Sequence, residues 1–276
     1  MSANVESRAI ALPNFVWIRD YSELLLTILR RELRVKYKGS SLGILWSYAY
    51  PLAMVGVYTL VFSVLWHAVK GVPHYPLFVL VGVAVWTFFQ AAIQLASSSV
   101  ITNAHLIRNV RFPREVIPAS VVLAQAVSSL VMFAVLVPVA LIVVPESART
   151  ALLTVPIFVA LVLLTLGIGW LAATATVFFR DVEHLLAVLF LPWFFLTPVL
   201  YSLDTLPRAA NHPWLIHLLR YGNPVTPYIE AFRGALIQGQ VAGASLLVYV
   251  FVVGPVIALI GLWTVQRYED RFAVEI

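Results

Sequence analysis

Residues 103–118 read NAHLIRNVRFPREVIP and form a short basic island between two long stretches without charge. Residues 71–102 and 119–145 contain no Asp, Glu, Lys or Arg. A charge at the centre of a bilayer costs about 2.5–3.5 kcal/mol on insertion scales, so a membrane protein has a physical reason to confine charge in this way. We therefore interpret the island as a loop on one side of a membrane. It should carry a short helix ending at Phe112-Pro113, because proline disfavours helical backbone in the residue before it.

The composition of the whole chain agrees with a membrane protein. Of its 276 residues, 61% are hydrophobic and 11% are charged, and the mean hydropathy is +0.92. Soluble domains are nearer about 45–50% apolar and about 25% charged. The net charge of +5 is then expected to mark a basic membrane face rather than a nucleic-acid site. The absence of cysteine excludes disulfides, Cys-ligated zinc and iron–sulfur clusters.

Residues 1–41 are predicted to form a cytoplasmic tail and an amphipathic helix over residues 20–38. Leu25, Leu29 and Leu33 recur every four residues and mark one apolar helical face. Cations crowd its second half, at Arg30, Arg31, Arg34, Lys36 and Lys38. We expect this helix in the cytoplasmic interface, with leucines toward the membrane and cations toward anionic headgroups. It is either a simple anchor or an anchor that also contacts a cytoplasmic partner.

Six apolar stretches follow, each compared with the roughly 20 residues that span about 30 Å of hydrocarbon. They cover residues 42–66, 76–100, 116–144, 151–179, 185–201 and 242–266. The fifth is short and is interrupted by Pro192 and Pro198. We therefore predict an all-α integral membrane protein with six transmembrane helices, whose transmembrane domain covers residues 42–276.

The distribution of cations predicts the orientation. With both termini on one side, thirteen of the 18 Lys and Arg residues lie on that side and five on the other. Because cytoplasmic loops carry the excess of cations, both termini are expected inside. No signal-peptide core precedes the first span, which agrees.

The external segment, about residues 202–240, contains apolar and aromatic residues such as Trp214 and Tyr221 that a solvated loop would not need. We expect short helices that rest in the outer leaflet or re-enter it before the last span. Non-helical backbone at that depth must be packed by protein or line a wet cavity.

The sequence carries no convincing enzyme site. It lacks a Gly-x4-Gly-Lys-Ser/Thr phosphate loop, a His-Glu-x-x-His zinc motif and a Gly-x-Ser-x-Gly nucleophile elbow. Asp181 and Glu183 could do acid–base work, but pairing with the neighbouring Arg180 is the simpler interpretation. No charge lies near the middle of a predicted span, which argues against an ion-coupled carrier. Energy for transport would then come from a separate ATPase, and we expect no metal or cofactor on this chain.

Five short motifs point to one family when they are taken in order. They are the basic entry helix running into residues 37–46 with Tyr50-Pro51, the island at 103–118, and residues 178–182, 198–201 and 223–224. Together they resemble the membrane-spanning permease of ABC exporters that move O-antigen, teichoic acid and related lipid-linked polysaccharides, within the type-2 ABC export permeases. The resemblance covers essentially the whole chain.

The resemblance implies a homodimer of permeases with two copies of a separate nucleotide-binding subunit that holds ATP and Mg²⁺. It also implies that the loop at about 101–115 acts as a coupling helix in a groove of that ATPase, beside the amphipathic helix. The candidate coupling residues are Asn103, His105, Leu106, Arg108, Arg111, Phe112, Arg114 and Glu115. Alternatively, the arginines among them are only positive-inside charges. Residues 202–222 would be gate helices over the pore exit.

A path for a glycan can be argued only from aromatic residues. A moving polymer is better served by many weak contacts than by one tight site, as ions are in a pore. The candidate channel residues are Tyr50 and Tyr58 on the first span and Trp193 and Tyr201 on the fifth. The alternative is that they belong to interfacial belts or to core packing.

The leading hypothesis is a passive permease of an ATP-driven exporter in the bacterial cytoplasmic membrane, carrying a lipid-linked polysaccharide of O-antigen, teichoic acid or galactan type. A related ABC permease for a drug or small lipid is the alternative within transport. A six-span membrane glycosyl- or acyltransferase would need acidic or histidine residues clustered at one interface, which the sequence does not show. A structural membrane scaffold is the last alternative.

Overall fold

The computed structural model describes residues 22–37, 46–65, 72–109, 112–205 and 212–275, and the regular structure in these ranges is helical throughout. In chain order the helices are α1 Ser22–Tyr37, α2 Trp46–Thr59, α3 Tyr75–Thr102, α4 Ala104–Asn109, α5 Val116–Val143, α6 Thr154–Phe178, α7 Val182–Leu196, α8 Pro213–His217, α9 Thr226–Arg233 and α10 Ala244–Glu275. Wider π-helical turns extend α2, α8 and α9, at Leu60–Leu65, Leu218–Gly222 and Gly234–Gln238. Tighter 3₁₀ turns lie at Pro145–Arg149, Ala151–Leu153 and Leu203–Thr205.

Four helices are long and apolar enough to cross a membrane. They are Tyr75–Thr102, Val116–Val143, Ala151–Phe178 and Ala244–Phe272, each of 28 or 29 residues. They correspond to the second, third, fourth and sixth stretches predicted from the sequence. The all-helical membrane architecture is therefore confirmed, with four candidate spans in the part of the chain that the structure describes.

Two shorter apolar helices lie in the first and fifth predicted stretches. Their apolar parts are Ala49–Phe62 and Val182–Leu196. The second of these, α7, ends where Thr197 adopts extended backbone before Pro198, as expected for a residue that precedes proline. With 15 residues, α7 extends about 22 Å, less than the roughly 30 Å of hydrocarbon.

Two hydrophobic cores hold the bundle together. The larger core is built from buried residues of α3, α5, α6, α7, α9 and α10, among them Phe89, Leu136, Leu161, Phe190 and Phe232. The smaller core lies at one end of the bundle and joins α1, α3, α4, α5, α6 and α10. Its buried members are Ile28, Val100, Ile107, Val116, Ile117, Ala119, Trp170, Ala173, Val177, Ala258, Leu262, Val265 and Phe272.

Helices α6 and α10 pack backbone to backbone at a pair of glycines. A Cβ atom built on Gly167 would overlap the main chain of Ile257, and one built on Gly261 would overlap the main chain of Gly167. Small residues allow this approach, which maximises dispersion contacts where lipid gives no hydrophobic drive for helix association. The close packing fixes α10, the last helix, against the centre of the bundle.

Helix α9 is buried within the larger core, in the segment expected to lie outside or re-enter the membrane. Tyr228, Ile229 and Phe232 are completely buried. The Tyr228 hydroxyl donates to the main-chain oxygen of Val250 on α10, at 2.9 Å. A short helix packed on all sides satisfies the requirement that interrupted backbone at membrane depth be enclosed by protein.

Arg233 at the end of α9 is buried, although its position in the sequence suggested only one more loop cation. Its guanidinium donates to the main-chain oxygens of Pro198 and Val199, both at 2.6 Å, and of Phe78, at 3.2 Å. It also lies 3.3 Å from the centroid of the Phe78 ring. A Cβ on Gly82 would come within 2.9 Å of this guanidinium, so the glycine makes room for it. Arg233 thus supplies donors to carbonyls that become available where α7 ends.

We predict that Arg233→Leu destabilises the protein strongly, because three buried carbonyls lose a charged donor at about 1–3 kcal/mol each. Arg233→Lys keeps the charge but not the planar fork of the guanidinium. Its stability should therefore lie between that of the wild type and that of Arg233→Leu. The measurement is the Tm and the yield of detergent-solubilised protein.

Arg149→Leu is the matched control for this prediction, because Arg149 is exposed in the turn that packs near α9. Its stability should stay within about 0.5 kcal/mol of the wild type. An Arg233→Leu variant as stable as this control would contradict the role given to the guanidinium.

Candidate functional site

The polar turn between α3 and α5 is fixed by the side chain of Asn103. Its main-chain N–H and its side-chain amide both donate to the Ser99 oxygen, at 3.1 and 2.8 Å. Its own carbonyl accepts from Leu106 and so starts α4. Local side-chain bonds of this kind favour the ends of helices. Asn103 therefore ends α3 and turns the chain into α4.

Helix α4 is anchored on one face and open on the other. Ile107 is 5% exposed and belongs to the smaller core, whereas His105, Arg108 and Asn109 are exposed. His105 and Arg108 are three residues apart and so lie along one edge of the helix. Leu106 is half-buried between the two faces. The helix thus presents a polar, basic edge on a hydrophobic base.

The predicted end of α4 lies next to residues outside the described ranges. The expected end was Phe112-Pro113, but the described helix ends at Asn109, and Val110 and Arg111 lie outside the described residues. Phe112 is half-buried and packs against the smaller core instead of extending the helix. Proline restricts the backbone of Phe112 whether or not a helix precedes it.

Helix α1 packs beside this turn. Leu24, Leu25 and Ile28 contact the smaller core, so part of the leucine face predicted to lie toward the membrane is covered by protein. The Arg31 guanidinium donates to the side-chain oxygen of Asn103 at 2.5 Å and to Glu32 at 2.8 Å. The structure therefore brings a predicted interface-helix residue and a predicted coupling residue into direct contact.

The remaining predicted cations of α1 have different positions. Arg30 and Arg34 are exposed. Lys36 belongs to α1, and Lys38 lies outside the described residues. With His105 and Arg108 of α4, the exposed arginines give this end of the bundle a basic surface.

The turn enters α5 through Arg114 and Glu115. Arg114 is half-buried, while Glu115 is only 2% exposed. The Glu115 carboxylate accepts a hydrogen bond from the side-chain amide of Gln266 on α10 at 2.9 Å. Burial raises the pKa of this carboxyl, although the bonds from Gln266 and from its own backbone N–H act in the opposite direction. Both residues thus lie at the base of the exposed surface rather than on it.

The four predicted channel aromatics do not share one environment. Trp193 packs edge-on against Trp86 and Phe89, with ring centroids 6.1 and 5.4 Å apart, and donates to Asn223 at 3.1 Å. The Tyr201 hydroxyl donates to the main-chain oxygens of Phe195 and Leu196, both at 3.2 Å. Within the single chain, Trp193 and Tyr201 thus have packing or hydrogen-bonding partners of their own.

The two aromatics of α2 differ from each other. Tyr58 is half-buried and stacks on Phe194 with centroids 5.9 Å apart. Tyr50 is 58% exposed on the same helix. Tyr58 is thus connected to Trp193 through two other rings, because Phe194 contacts Trp86 and Trp86 contacts Trp193. The structure leaves Tyr50 on the surface of the single chain.

Sequence reasoning missed Trp170 and Gln266, whose side chains both donate to Glu115. Each is a polar group within or at the end of a long apolar helix. Buried polar groups almost always have a hydrogen-bond partner, so such isolated groups signal a bond whose partner the sequence does not name.

The order of these elements can be compared with known proteins. The family model described as ABC-2 type transporter matches residues 23–237, from α1 into the turn after α9. The chain belongs to the ABC-2 type transporter family. The family resemblance drawn from the five sequence motifs is thereby confirmed, and the protein is a multi-pass membrane transport subunit.

Proteins similar to this chain carry names of polysaccharide transport. The O-antigen export system permease protein RfbA of Myxococcus xanthus is 30% identical over 257 residues, covering 91% of this chain and 94% of the relative. A protein of the same name from Klebsiella pneumoniae is 29% identical over 252 residues, with the same coverage. The polysialic acid transport protein KpsM of Escherichia coli is 22% identical, covering 87% of this chain and 91% of the relative.

We predict that Arg31 and Asn103 are energetically coupled in this ABC-2 protein. Arg31→Ala and Asn103→Ala should each lower the Tm and the free energy of unfolding. The double variant should lose less unfolding free energy than the two single variants together, by about 0.5–3 kcal/mol, because both changes remove the same hydrogen bond. Arg30→Ala, at the exposed neighbouring position, is the control and should show no such coupling to Asn103→Ala. Strictly additive losses for the first pair would contradict the contact between α1 and the turn.

Proposed function

We propose that the chain is the membrane-spanning permease of an ATP-driven exporter that moves a lipid-linked polysaccharide across the bacterial cytoplasmic membrane. The observation that carries this proposal is the match to the O-antigen permease RfbA over 94% of that protein's length. The family match over residues 23–237 includes most of α1, the polar turn and most of the external segment, so the similarity is not limited to apolar helices, which any membrane protein could share. The polysialic acid transport name of another relative supports the same class of substrate.

The basic surface formed by α1 and α4 is the proposed docking site for a separate nucleotide-binding subunit. Exposed His105 and Arg108 would enter a groove of that subunit, with the exposed arginines of α1 beside it. ATP and Mg²⁺ would be held by the partner, and this chain would carry no cofactor. We further propose the assembly expected from the family, with two permeases and two nucleotide-binding subunits.

The proposed topology has six spans with both termini inside. Helices α2 and α7 would be the other two spans, in addition to the four long ones. Because α7 is short, the segment that follows it would continue its path across the membrane. This orientation places the polar turn in the cytoplasm, where ATP is available. The segment of about residues 202–240, which includes α8 and α9, would then form the external gate over the pore exit.

The path of the glycan would be lined by weak contacts. Sugar rings have apolar faces that settle on aromatic side chains, and many weak sites allow a polymer to keep moving. Tyr50, which is exposed on the single chain, and Tyr58, which is half-buried, are proposed to face the channel from α2. Trp193 and Tyr201 would contribute from α7 and from the turn after it.

The test is a reconstitution of this chain with its nucleotide-binding subunit in proteoliposomes. Adding a purified lipid-linked glycan should raise ATP hydrolysis several-fold, whereas a small lipid or a drug should not. Arg108→Glu should weaken binding of the subunit, because it reverses charge on the exposed edge of α4. Arg149→Glu, an exposed arginine at the opposite end of the bundle, is the matched control and should leave binding unchanged.

Hydrolysis by the wild-type complex that ignores the glycan would contradict the proposed substrate. Stimulation by the small lipid or the drug alone would favour a different cargo for the same type of permease. Normal subunit binding by Arg108→Glu would contradict the assignment of α4 as the docking element.

A further inference from the structure

Among the described residues only two charged side chains are buried, Glu115 and Arg233. They lie toward opposite ends of the bundle, because Arg233 contacts Phe78 near the start of α3, while Glu115 follows the turn after the end of α3. Buried charges are costly unless they are paired or hydrogen-bonded, so each requires an explanation. Arg233 donates to main-chain oxygens beyond the end of α7 and packs on the Phe78 ring. Glu115 has different partners.

Glu115 connects three helices through two of its own groups. Its carboxylate accepts from the side chain of Gln266 on α10 at 2.9 Å. Its main-chain oxygen accepts from the indole N–H of Trp170 on α6 at 3.0 Å. The residue itself stands at the junction of the polar turn with α5. A displacement of the turn therefore acts directly on hydrogen bonds to α6 and α10.

The two connections differ in the groups that they join. The bond from Trp170 reaches the main chain, and its indole is held in the smaller core at 4% exposure. The bond from Gln266 joins two side chains, of which Gln266 is half-buried near the end of α10. The first holds the turn on α6 as a fixed point. The second can change its geometry without disturbing a helix backbone.

The junction also contains hydrogen-bonding atoms that are not used. The second carboxylate oxygen of Glu115 and one terminal guanidinium nitrogen of Arg114 are buried without a hydrogen-bond partner in the described structure. A buried group left in this state costs about 1–3 kcal/mol, more when it is charged. A movement of the turn that pairs these atoms would remove this cost.

Helix α10 extends this connection to the other end of the bundle. It contacts α9 where the Val250 oxygen accepts from Tyr228, and it packs backbone to backbone on α6 at Gly167. The 16 positions from Val250 to Gln266 correspond to about 24 Å of helix. This part of α10 contains Pro255 and packs on α6 at Gly261, so a shift at Gln266 would reach the contact with α9 by movement of α10 relative to α6.

We propose that Glu115 is a positioning residue that transmits movement of the α4–α5 turn to α10 through Gln266, with Trp170 as the fixed point. The proposal rests on the function proposed above, in which a nucleotide-binding subunit drives the turn. The smaller core then has a mechanical role in addition to its role in stability. Helix α10 connects the α4–α5 turn, which the nucleotide-binding subunit would move, to α9 in the proposed gate.

The test compares ATP hydrolysed per glycan exported by complexes in proteoliposomes. Glu115→Met and Gln266→Met each remove one side of the hydrogen bond at similar volume, and each should raise this ratio about five-fold or more. The double variant should be no worse than either single variant, because both remove the same connection. Glu115→Gln keeps an acceptor for Gln266 and should stay within about two-fold of the wild type, a rescue that a need for charge alone would not give.

Glu183→Met is the matched control, since Glu183 is a half-buried glutamate in the first turn of α7, just after α6 ends near the smaller core. It should leave the ratio unchanged. Subunit binding and Tm are measured on every variant, so that a loss of folding is separated from a loss of coupling. If Glu115→Met does not fold, Gln266→Met and Glu115→Gln carry the test.

Three results would overturn the inference. They are an unchanged ratio in Gln266→Met, losses in the two single variants that multiply in the double variant, and a ratio in Glu115→Gln as poor as in Gln266→Met. A wild-type complex whose hydrolysis ignores the glycan would overturn the proposed function and this inference with it. A responsive wild type with unaffected variants would overturn the inference alone.

Discussion

The structure depends on one constraint, which is that charges and interrupted backbone are tolerated at membrane depth only when protein satisfies them. Helix α7 ends after about three-quarters of the length that a span needs, and the carbonyls of Pro198 and Val199 are then available for other donors. Arg233 reaches them from α9 and also reaches Phe78 on α3. One buried cation therefore holds together three segments that are far apart in sequence. The short helices of the proposed gate can lie against the bundle because of it.

At the other end of the bundle, most of the described charged residues lie on the surface instead of being buried. There α1 and α4 share the smaller core, and Arg31 of α1 donates a hydrogen bond to Asn103, the residue before α4. Among the charged residues that the structure describes at this end, Glu115 is the buried one, and it meets α6 and α10. Helix α10 thus contacts the proposed gate at one end and the proposed docking turn at the other. A subunit that moves the turn would act on the gate through a helix that is already packed along its length.

Much of this fold could be predicted from the sequence because lipid simplifies the pattern. The four long helices follow from apolar length alone, and the leucine period of α1 predicted a helix there, although part of its apolar face packs on the smaller core instead of facing lipid. The basic island at 103–118 likewise identified the turn that now carries Asn103 and α4. These are local signals, since each is contained within one stretch of about 20–30 residues.

The contacts that position the site could not be predicted, because their partners are distant in sequence. Arg233 looked like any other loop cation, since Phe78 lies 155 positions away. Glu115 and Gln266 are 151 positions apart, and neither residue type indicates the other. The four aromatic residues were chosen by type, yet the structure gives Trp193 a packed environment and Tyr50 an exposed one. Composition cannot distinguish a channel face from a core face when both are apolar.

The central claim is that the two ends of the bundle face opposite sides of the membrane. The α4 turn would lie on the cytoplasmic side and α8 on the external side. The chain has no cysteine, so single cysteines at two exposed histidines, His105→Cys and His212→Cys, can be labelled without further changes. A membrane-impermeant maleimide applied to spheroplasts should label position 212 and should reach position 105 only after the membrane is opened. Labelling of position 105 in intact spheroplasts would contradict the account, because the turn would then lie on the side that lacks ATP and its subunit.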